Sequence, residues 1–101
     1  MRAIKIDPVS RTITEIDLHP NVHLAIEEMR SQIDAKEITV TLIGRRIGIV
    51  SCTQPKEKGF RFFANDDTPF FGAGIAVGWN RGKIDVLHEK KENFDKIIEW
   101  I

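Results

Sequence analysis

A chain of 101 residues with an apolar fraction of 42% has the length of one domain and material for one modest core. Its 15 Lys and Arg are balanced by 15 Asp and Glu, which argues against a general polyanion binder, since such affinity grows with each phosphate neutralised. Cys52 is the one cysteine, so an internal disulfide and a cysteine-based zinc site are both excluded.

The first residues, Met1-Arg2-Ala3-Ile4-Lys5-Ile6-Asp7, lack the apolar run of a secretory signal, and no apolar stretch approaches the ~20 residues of a membrane span. A cytoplasmic protein is expected. Ala3 to Asp7 alternates around Ile4 and Ile6, as a half-buried strand does. Asp7-Pro8-Val9-Ser10-Arg11 carries turn chemistry, and Thr12 to Leu18 alternates again, so the two runs predict an antiparallel hairpin. His19-Pro20-Asn21 interrupts the strand and supplies Asn21 as a helix cap. Val22, Ile26, Met29 and Ile33 keep helical spacing, which predicts a helix from Val22 to about Gln32.

Glu37 to Leu42 alternates, with Ile38, Val40 and Leu42 on one face. Gly44-Arg45-Arg46 turns the chain into the apolar run Ile47 to Cys52, and a second hairpin is expected. A polar loop from Thr53 to Gly59 leads to a short aromatic strand, Phe60-Arg61-Phe62-Phe63. After the loop Asn65 to Pro69 comes a glycine-bearing strand from Ala73 to Trp79, closed by the turn Asn80-Arg81-Gly82-Lys83 and paired with Ile84 to Leu87. From about Glu89, the spacing of Phe94, Ile97, Ile98 and Ile101 predicts a helix running to the last residue, with that end docked. The order ββ-α-ββ-β-ββ-α predicts a single α+β domain over residues 1–101. Its sheet should be mainly antiparallel, built of hairpins, with two helices packed on one face. The strand within Pro69–Trp79 is expected at its centre.

Chemistry-bearing groups are sparse. The glycines at 72, 74 and 78 have the spacing G-x-G-x-x-x-G and run into a turn, whereas a dinucleotide fingerprint needs a helix N-terminus there. They read as glycines that admit a close neighbour. Arg45, Arg46, Lys56, Lys58 and Arg61 form a basic stretch opposed by Glu57 and interleaved with Phe60, Phe62 and Phe63. Guanidinium forks beside aromatic faces suit a nucleotide or a single-stranded nucleic acid. A charged hairpin tip and a solvated loop explain the same residues. His19, His23 and His88 match no metal-ligand spacing, and no metal or cofactor is expected. Ser10, Ser51 and Cys52 lack an evident base, and Asp66-Asp67 reads as turn chemistry, so no catalytic residue is expected. Phe70, Phe71, Trp79 and Trp100 exceed what a small core must hold, which predicts an association surface and a homo-oligomer.

Arg2-Ala3-Ile4-Lys5-Ile6-Asp7-Pro8, followed by Arg11-Thr12-Ile13-Thr14-Glu15-Ile16, resembles the opening of a family of small phage and prophage proteins. These share a "KAI-x-ID-P" strand, an "RT-[IV]-x-E" strand and a later glycine-spaced segment after a proline, here Pro69 to Gly78. The family has no assigned activity or catalytic residues. The resemblance implies a setting: a small phage-type accessory protein in the host cytoplasm. Such a protein would be non-enzymatic, acting on a host factor or on an anionic small molecule such as a nucleotide signal of host defence. The basic stretch is not part of the resemblance. A nucleic-acid-binding accessory protein using that stretch is the alternative reading, and a small hydrolase or nuclease the third.

Overall fold

The computed structural model describes residues 1–54, 56–62 and 68–101. Phe63 of the expected aromatic strand, Pro55, and the Asp66-Asp67 pair lie outside the described residues. In chain order the elements are β1 (Arg2–Asp7), β2 (Thr12–Asp17), α1 (Val22–Gln32), β3 (Ile38–Leu42), β4 (Ile47–Cys52) and β5 (Gly59–Phe62). They continue with β6 (Phe70–Phe71), β7 (Gly74–Asn80), β8 (Lys83–Asp85), α2 (Lys91–Ile97) and β9 (Ile98–Trp100). Among the described residues every strand pairing is antiparallel, as the hairpin pattern predicts.

The main sheet has the order β2-β1-β7-β4-β3. β4 occupies one edge of β7 along Gly74 to Gly78. β1 takes the near half of the other edge, against Gly74 to Ala76, and β8 takes the far half, against Gly78 to Asn80. The glycine-bearing strand is thus central, as its sequence suggests, and the two outer hairpins meet only through it. Arg81 at φ 50° and Gly82 at φ 77° give the two-residue turn the double positive φ that matches strand twist.

Side chains alternate between the two faces, and each face has its own core. Ile75, Val77 and Val50 join Ala3, Leu18 and the α1 residues Ala25 and Met29 on one face. Ile4, Ile6, Ile49 and Ala76 join Leu87, the α2 residue Phe94, and Phe60, Phe62 and Phe70 on the other. The two helices therefore cover opposite faces, where the sequence pattern placed both on one. The space beside α2 is filled by a second, three-stranded sheet of order β6-β5-β9. A sheet covered on both sides needs fully apolar central strands, and Gly74 to Gly78 are all buried.

The helix α1 begins and ends on local signals. The Asn21 side chain accepts from the N–H groups of His23 and Leu24 at 3.0 and 3.3 Å. At the other end Ala35 N–H donates to the Arg30 carbonyl and Asp34 N–H to that of Ser31, the paired closure of a Schellman motif, with Asp34 at φ 51°. The last element departs from expectation. The helix stops at Ile97, Ile98 turns extended, and Ile98 to Trp100 pair with Phe62 to Phe60 of β5.

Candidate functional site

The fold separates the basic stretch. Arg45 and Arg46 sit at the β3–β4 tip, and Lys56 and Lys58 follow the opposite end of β4. Six extended residues, roughly 20 Å of strand, lie between them. Lys56 and Lys58 border a groove that also holds Lys5, Asp7, Asp34 and Glu57. Arg61 lies opposite Glu99 across β5 and β9 and donates to its carboxylate at 2.6 Å. The five cations do not form one track.

The aromatics divide as well. Phe70 is buried at 8% exposure, its ring stacked on Phe60 with centroids 5.2 Å apart. Trp79 and Trp100 are half-buried, and Trp100 lies opposite Phe60 in the small sheet. Of the four, Phe71 alone is exposed, at 41%. Most of the apparent aromatic surplus is consumed by the second sheet.

What the fold does assemble is a groove of about 500 Å³ at the β3–β4 tip end of the sheet. Arg46 borders it from the β3–β4 tip, Ile47 from β4, Trp79 and Asn80 from β7, and the segment Asp85 to Glu89 closes it. Three local features hold this shape. Trp79 N–H donates to the Arg46 carbonyl at 2.8 Å, continuing the β4–β7 register to the rim. The Val86 carbonyl lies directly over Gly78, so close that a Cβ there would stand 2.1 Å from its oxygen. The Arg2 guanidinium reaches across from β1 and donates to the carbonyls of Leu87 and Glu89 at 3.0 and 2.6 Å. These charge-assisted bonds tie the segment to the sheet.

The groove mixes charge with an apolar floor. Arg46 and His88 are exposed, and the half-buried Ile47 and Trp79 supply apolar surface above the buried Leu87. The Asp85 carboxylate is engaged by its neighbours, accepting from Val86 N–H at 2.8 Å and from the Asn80 amide at 3.5 Å. Glu89 accepts from the side-chain amide of Asn93. Sequence reasoning named Arg46 and Trp79 but not Arg2, Asn80, Asp85 or Glu89. Their roles depend on pairings remote in sequence, and only Gly78, read as admitting a close neighbour, pointed toward the groove.

No family model, curated protein or solved structure matches this chain.

The His19 ring accepts from Asn21 N–H at 2.9 Å as part of the α1 cap. Among the described residues no three His, Cys, Asp or Glu side chains gather as metal ligands do. Cys52 is buried, and its Sγ accepts from Gln54 N–H at 3.3 Å. Among the described residues, no helix is long and apolar enough to cross a membrane.

Proposed function

We propose that this is a non-enzymatic binding protein that takes an anionic, ring-bearing small molecule of the nucleotide class in the groove beside Arg46. The observation that carries the reading is the convergence there of an exposed guanidinium, an amide and an imidazole over an apolar floor, with Arg45 next in the chain. Small-molecule sites combine apolar lining with a few placed polar groups in this way. Arg46 supplies a fork for phosphate, the half-buried Ile47 and Trp79 offer a surface to a ring, and Asn80 and His88 can read its edge. The phage-like N-terminal hairpin and glycine-spaced strand support the setting of an accessory protein in the host cytoplasm, where such a ligand is a defence signal. A host protein is the other occupant compatible with that setting.

The test is a thermal-denaturation screen against linear and cyclic nucleotides. A ligand at 100 times its dissociation constant adds about 2.7 kcal/mol of stability, which for a chain of this size raises the midpoint by roughly 10 °C or more. Arg46→Ala is expected to weaken the effect at least tenfold, the loss of one charged contact. A flat response to every nucleotide removes the small-molecule reading.

A further inference from the structure

The two edges of the main sheet differ in how they meet water. The β2 edge, Thr12–Asp17, carries Glu15 and Asp17, and edge charges of this kind discourage pairing with another chain. The β3 edge is Ile-Thr-Val-Thr-Leu from Ile38 to Leu42, without a charge, a proline or a glycine. Among the described residues no strand pairs with its outer side. Leu42 is 49% exposed. On a protein of zero net charge, an edge of this composition invites another strand.

The hydrogen-bond phase of β3 can be read from its ends. Ile43 N–H donates to Ile47, and the Glu37 carbonyl accepts from Thr53. Odd-numbered residues of β3 thus direct their backbone groups to β4. By alternation, Ile38, Val40 and Leu42 direct theirs outward. From this we infer that β3 pairs with β3 of a second copy, antiparallel about a two-fold axis at Val40, joining two sheets into one. In that register Val40 faces Val40 of the second copy and Ile38 faces Leu42. Each outward N–H meets an outward carbonyl, and the exposed Leu42 is covered by an isoleucine.

The flanks agree with a second copy as the occupant. Asp34 and Glu37 stand at the N-terminal end of β3, with Lys36 between them, and Arg45 follows its C-terminal end. A two-fold axis brings the acidic end of one strand to the basic end of the other, where opposite charges favour the register. The surface is small for a permanent dimer, so the pair is reversible. The inference does not rest on the proposed ligand.

The experiment follows association by sedimentation from roughly 1 μM to 1 mM, with amide exchange measured by NMR over the same range. Dimer is expected to accumulate with concentration. The amides of Ile38, Val40 and Leu42 should gain protection in parallel, while those of Thr39 and Thr41 stay protected throughout. Leu42→Lys is expected to weaken dimerisation about tenfold or more. Independently, Glu37→Arg should weaken it, and adding Arg45→Glu to that variant should restore it. A chain that stays monomeric across the range overturns the inference, including the case in which the edge awaits a peptide from another protein. So does a dimer indifferent to both Leu42→Lys and Glu37→Arg. Protection of the Val40 amide at the lowest concentration overturns it too, since the chain itself would then cover the edge.

Discussion

At the scale of single residues, two glycines on the main sheet make opposite demands. A Cβ at Gly78 would stand 2.1 Å from the Val86 carbonyl oxygen and 2.9 Å from that of Asp85. Both are backbone, held by the Arg2 bonds to Leu87 and Glu89, and cannot turn aside. A Cβ at Gly48 would meet the Val40 Cγ1 at 2.9 Å and the Trp79 ring at 3.4 Å, where a side chain can rotate. Gly78→Ala is therefore expected to cost about 2–4 kcal/mol and Gly48→Ala about 1 kcal/mol. Urea denaturation checks the difference, and equal costs would mean the Val86 segment yields. Gly78 was legible in sequence as a point of close approach, but the neighbour was not. It arrives from eight residues on and is fixed there by Arg2, at the other end of the chain.

Among the elements, those built from local periodicity are the ones sequence reading recovers. β1, β2 and β3 follow alternation, β4 follows a continuous apolar run, and α1 follows the spacing of Val22, Ile26 and Met29 between an Asn cap and a turn. The stop of α1 supplies a prediction. Asp34 occupies the position past the helix end with φ 51°, where a Cβ is strained and glycine is the usual occupant. Asp34→Gly is expected to stabilise the protein by about 0.5–1 kcal/mol, after the added freedom of the unfolded chain is offset. A thermal midpoint unchanged or lowered would show that the carboxylate contributes more than the strain costs. β9 could not be read in the same way. Phe94, Ile97, Ile98 and Ile101 fit one face of a helix, and nothing local marks Ile98 as a boundary. Its partner is Phe62, and only β5, with Phe60 and Phe62 needing a neighbour, turns that segment into a strand. The basic stretch was misleading for a related reason: residues close in sequence are carried to opposite ends of a sheet by one strand.

The whole molecule is two cores back to back on one sheet, with α1 over one and α2 with the small sheet over the other. Both depend on β7. The β1–β2 hairpin and the β3–β4 hairpin are hydrogen-bonded to β7 and not to each other. Ile75 and Val77 enter one core and Ala76 the other. A fragment of residues 1–73 thus retains both hairpins and α1 but nothing to join them. It is expected to unfold without a cooperative transition in calorimetry, since two hairpins alone bury too little apolar surface. A sharp transition in that fragment would place the centre of stability elsewhere. The same dependence has a bearing on biosynthesis. Residues leave the ribosome in order, and the joining strand is among the later ones to emerge. The nascent chain exposes the uncharged strand Ile38–Leu42 well before its sheet can close, so the pace at which the last third is translated sets how long that edge stays open to other chains.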